Sequence, residues 1–113
     1  MHVGVLQLTF HLPAARSLKE KRSSVRRFRD RVRSRFDVSV AEVGAQDLLQ
    51  RAVFGVCVVS GDKEVCDSVL AHVARAAETE EEMVLTGRAT EILAMGEMSD
   101  DLPGHEYGDD DGH

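Results

Sequence analysis

Between residues 16 and 35 the chain carries ten Lys and Arg side chains against two acids, Glu20 and Asp30. Arg22, Arg26, Arg29 and Arg33 recur at steps of four, three and four, and Arg27, Arg31 and Arg35 at steps of four. On a helix these steps draw two rows of guanidinium groups, one on each flank of an apolar stripe. Such a row can meet successive phosphates of a nucleic acid through charge and forked N–H donors. With Lys19 one turn ahead, Arg22, Arg26, Arg29 and Arg33 form the candidate phosphate contacts. The plainer reading is that arginine stems cover apolar edges while their heads solvate an ordinary helix face.

Other chemistry is sparse. His2, His11, His72, His105 and His113 lack the paired spacing of a metal site, and Cys57 and Cys66 lack both a metal knuckle's spacing and a neighbouring His for a dyad. Ser60-Gly61-Asp62-Lys63 could offer backbone N–H groups to a phosphate, but without the length and glycines of a phosphate loop it reads as a helix cap. Glu42, Asp47, Gln50 and Arg51 could build a small polar site, or merely a salt-bridged loop. The expectation is no enzyme, no metal and no cofactor.

These residues need elements to position them. Leu6, Leu8, Phe10 and Leu12 alternate with Val5, Gln7, Thr9 and His11, which predicts a strand over 3–12. Ser17 with Glu20 three residues on is a capping-box pattern, so a helix should start near Leu18. Leu18, Val25, Phe28, Val32 and Phe36 fall on one stripe of that helix. Residues 38–43 read as a short strand and 52–60 as a longer one, apolar on both faces. Asp62 can cap a helix to about Glu78 with Val65, Cys66, Val69, Val73 and Ala76 or Ala77 on its inner face. ETEEE, residues 78–82, reads as a solvated connection, and 84–94 as a last strand kinked at Gly87.

The order β, α, β, β, α, β fits an α+β ferredoxin-like domain, a four-stranded antiparallel sheet with two helices on one face. Right-handed crossovers put the first and third strands at the centre. The RNA-recognition motif shares this topology, but Phe10 should face the core and the outer positions of the first strand offer no stacking platform, so RNA would meet the helix.

The charge distribution divides the chain. The formal net charge is −6, with residues 95–113 holding seven acids and no Lys or Arg. We expect a domain over 1–94 and an acidic, disordered tail over 95–113, which could also fold back over the arginine rows. The first residues look like neither a signal peptide nor a membrane span, and two cysteines suit a reducing cytoplasm.

HLPAARSLKEKR (11–22), VSVAEVGAQDLLQRA (38–52) and VCVVSGDKEVCDSVL (56–70) together resemble the YlxP-like family of small bacterial proteins, whose biochemical function is not established. The resemblance covers residues 1–94 and rests most on Ser17 to Arg22, Ser39 to Glu42, and Asp47 with Gln50-Arg51-Ala52. It implies a ferredoxin-like fold in a cytoplasmic bacterial protein. Members often share an operon with a transcription elongation factor, a translation initiation factor and ribosome-binding factor A, which implies ribosome maturation or translation. Leu48 and Leu49 stand where members often have a Trp.

Within the motif, Lys21 falls beside the apolar stripe, where a lone ammonium is costly, so it needs an acid from Glu42 or Asp47. The motif cluster is thus Lys21, Glu42, Asp47, Gln50 and Arg51. The expected function is non-enzymatic binding of RNA or a ribosomal subunit. The alternative is a protein-interaction module, such as a homodimer, that uses the free face of the sheet.

Overall fold

The computed structural model describes residues 1–96. Most of the acidic tail expected over 95–113 lies outside the described residues. Within them the order is β1 (His2–His11), α1 (Leu18–Arg35), β2 (Ser39–Gly44), β3 (Arg51–Ser60), α2 (Lys63–Glu78) and β4 (Val84–Ala94). All pairings are antiparallel and the sheet order is β2-β3-β1-β4, with β1 and β3 central as the crossover rule requires. The chain is therefore a ferredoxin-like α+β domain.

The alternation in β1 decides which face is covered. Leu6, Leu8 and Phe10 are buried beneath the helices, together with their β3 partners Val56, Phe54 and Ala52. Phe28 of α1 joins Phe10 and Phe54 in a trio of edge-to-face rings with centroids 4.8–5.7 Å apart. Both apolar faces of β3 exist as expected, but only one is covered.

Ser17 caps α1 by accepting the Glu20 N–H at 3.1 Å. The return arm of the capping box lands one residue early: the Glu20 carboxylate accepts the Arg16 N–H at 2.8 Å. Asp62 caps α2 through the Glu64 N–H at 3.0 Å, so Ser60 to Lys63 is a helix start. The inner face of α2 is Cys66, Leu70, Val73, Ala74 and Ala77; Val65, expected there, is exposed. The stripe is rotated because Leu70 faces the small Gly4 of β1, whose missing side chain admits it closely.

Two irregularities sit on the edge strands. The β1–β4 register shifts between Thr9 and Phe10, leaving Thr86 as the extra residue beside Gly87, where a kink was expected. The β2–β3 register shifts between Glu42 and Gly44, and the extra residue Val43 lies over Gly55.

Candidate nucleic-acid interface

The two arginine rows meet different surroundings. Arg27 pairs with Glu82 and also donates to Ser23 and Ser24, and Arg31 Nη2 lies 2.6 Å from Glu80 Oε1. Both acids belong to the connection between α2 and β4. That connection is thus no free solvated loop, as its composition suggested, but a clasp of two carboxylates over one row. Glu80 is only 11 % exposed in its side chain. The Glu82 carboxyl is held below its ordinary range, chiefly by the hydrogen bond from Arg27 and then by that from Ser24.

The other row is only partly paired. Lys19, Arg22 and Arg26 are exposed and make no ion pair or side-chain hydrogen bond among the described residues. Arg29 is half-buried, 3.4 Å from its neighbour Asp30, and Arg33 donates to the Val40 carbonyl at 3.3 Å. The contact to Val40 places this row along the β2 edge of the molecule. Four helical turns therefore present cations on one flank, while acids blunt the opposite flank.

A groove of about 380 Å³ runs between α1 and the connection after α2. Phe28, Val32 and Phe36 line it, with Arg31, Arg35 and Glu80 among its charged residues. Sequence reasoning missed it because it depends on Glu80 and Glu82 approaching residues about fifty positions away. Arg35 stands over the Phe36 ring, 5.1 Å from its centroid.

The motif cluster divides. Lys21 is 1 % exposed, its ammonium 3.0 Å from Glu42 Oε2 and 2.6 Å from the Ala45 carbonyl, to which it donates. Glu42 is the acid it required. That carboxylate oxygen lies off the hydrogen-bonding direction, so the contact is Coulombic and the directed bond goes to Ala45. Ala45 has φ 59°, a left-handed conformation unfavourable for a residue with a side chain, and its carbonyl also accepts the Leu48 N–H. The buried ammonium thus holds the turn after β2.

Asp47 is exposed and joins no ion pair or side-chain hydrogen bond among the described residues. Gln50 ties the connection before β3 to the one after β1: its Nε2 donates to the Pro13 carbonyl at 3.2 Å, and its own carbonyl accepts the Leu12 N–H at 3.0 Å. Arg51 opens β3 opposite His11. These contacts brace loops and do not converge on one pocket. Among the described residues no group of three His, Cys, Asp or Glu side chains gathers as a metal site, and no helix is long and apolar enough to cross a membrane.

A ferredoxin-like domain with one charged helix flank and a buried lysine clasp is a description of class. The family follows from comparison: the model described as "Protein of unknown function (DUF503)" matches residues 3–89, and the chain belongs to that family. It is 42 % identical over 59 residues to the "Uncharacterized protein YlxP" of Bacillus subtilis (strain 168), a match covering 52 % of this chain and 64 % of that relative. The matched part is thus less than two thirds of the relative's length.

Proposed function

We propose that this protein is a non-enzymatic, cytoplasmic RNA-binding protein that docks on RNA phosphates, those of a ribosomal subunit in particular, through Lys19, Arg22, Arg26, Arg29 and Arg33. The observation that carries the reading is the asymmetry of α1. An arginine helix meant only for solubility has no reason to tie one flank to acids from another element and leave most of the other flank without them. Here Glu80 and Glu82 take up Arg31 and Arg27, whereas Lys19, Arg22 and Arg26 have no acid among the described residues. A cationic row about 1.5 Å per residue in rise, four turns long, can follow several phosphates. The ribosomal target rests on the operon association that the family resemblance implies.

Copurification with ribosomal subunits at low and high salt tests this. Wild-type chain should associate at low salt and be released at high salt, because phosphate contacts release counterions. Changing Arg22, Arg26, Arg29 and Arg33 together to Glu should abolish association. Equal recovery of both proteins would reject the proposal.

A further inference from the structure

The sheet has a second face, and nothing in the described residues covers it. Every strand residue of the buried core, Leu6, Leu8, Phe10, Val40, Ala52, Phe54, Val56 and Val58, points toward the helices. The opposite face carries Val3, Val5, Val53, Cys57, Val59 and Leu93, with Val43 filling the space over Gly55, and the uncharged polar residues Gln7 and Thr9 with His11 along the far half of β1. Val5 is 38 % exposed, Val59 63 % and Leu93 49 %; Val59 and Leu93 flank Val3, and Val5 stands between Cys57 and Glu91. Charge is confined to the margins, Glu91 on the edge strand β4 and Arg51 at the end of β3.

We propose that this face is the contact between two copies of the chain, packed sheet against sheet. The four strands contain 37 residues. At about 3.3 Å rise and 4.8 Å spacing they span roughly 590 Å² of plane. Two copies remove nearly 1,200 Å² from water, the lower bound of a stable specific interface, before side-chain relief adds to it.

The shape and chemistry favour a second copy over other occupants. A twisted sheet is matched by one of the same twist, stacked about 10 Å away, whereas one helix about 10 Å wide would cover only two strands. Single-stranded nucleic acid laid on a sheet stacks its bases on aromatic rings, and Phe10 and Phe54 lie on the buried side. In the pair, Glu91 and Arg51 stay at the rim, and the two α1 helices face outward on opposite sides. The interface is separate from the arginine row and does not depend on it.

Sedimentation equilibrium of the full chain tests the proposal. The wild type should show a mass near twice 12.4 kDa that persists at high salt. Val59→Asp and, independently, Leu93→Asp should return it to a single-chain mass, with far-UV circular dichroism unchanged because both side chains face solvent in the single copy. A wild type at single-chain mass at high micromolar concentration would overturn the proposal. So would a dimer unaffected by either folded variant.

Discussion

Lys21 and Glu42 meet where α1 crosses β2, the ammonium 3.0 Å from the carboxylate and only 1 % of the lysine side chain exposed. A charge so deep in a small domain is costly unless compensated. Compensation comes from two elements, β2 through Glu42 and the following turn through the Ala45 carbonyl. The pair therefore fixes the height of α1 over the sheet edge, and with it the line of the arginine row.

Lys21→Met should destabilise the fold by about 2–3 kcal/mol, somewhat below the usual cost of breaking a fully buried pair because Glu42 keeps 17 % exposure. Urea unfolding measures this. Adding Glu42→Leu should recover part of the loss, since it removes the stranded carboxylate. A loss under about 0.5 kcal/mol would contradict the clasp.

Glu82→Gln should release Arg27 at little structural cost. The pair is solvent-exposed, so stability should fall by no more than about 1 kcal/mol. The sign with pH follows from the lowered carboxyl: its contribution is present above the ordinary glutamate range near about 4.3 and is lost as pH falls through the lower folded value. The freed guanidinium should steepen the salt dependence of RNA binding by about 0.7 in log–log slope, one more phosphate contact. An unchanged slope would mean that Arg27 cannot reach the ligand.

Gly4 sets the approach of α2 to β1. A side-chain carbon there would stand 2.8 Å from Leu70 Cδ1 and 3.1 Å from Val58 Cγ1. Gly4→Val should cost about 1–3 kcal/mol through overpacking, while Gly4→Ala should cost less because the Leu70 methyl can swing away. Thermal unfolding of the two variants gives the order. Equal melting temperatures for Val and Gly would contradict the close packing.

Local patterns made the fold legible. Alternation in β1, the Ser17 and Asp62 caps and the stripe through Val25, Phe28 and Val32 depend on neighbours in sequence, and they specify the elements nearly to the residue. Lys21 also declared itself, because its position beside an apolar stripe demands an acid. The choice between Glu42 and Asp47 did not, since the extra residue Val43 and the left-handed Ala45 decide which carboxylate arrives. The clasp of Glu80 and Glu82 was hidden for the same reason: a run of acids looks solvated until tertiary structure sets it against Arg31 and Arg27. The covered face of α2 was mistaken at Val65 because Leu70 finds its room above a glycine on another element.

The asymmetry of α1 allows a comparison at constant charge. Arg22→Gln with Arg26→Gln, and Arg27→Gln with Arg31→Gln, each remove two positive charges from the same helix. RNA binding should be titrated against salt for wild type and both double variants. The account predicts that the first pair weakens binding and flattens the log–log salt slope by about 1.4, while the second leaves both nearly unchanged. Equal losses from the two pairs would contradict it, showing that total charge rather than the unpaired row attracts the RNA.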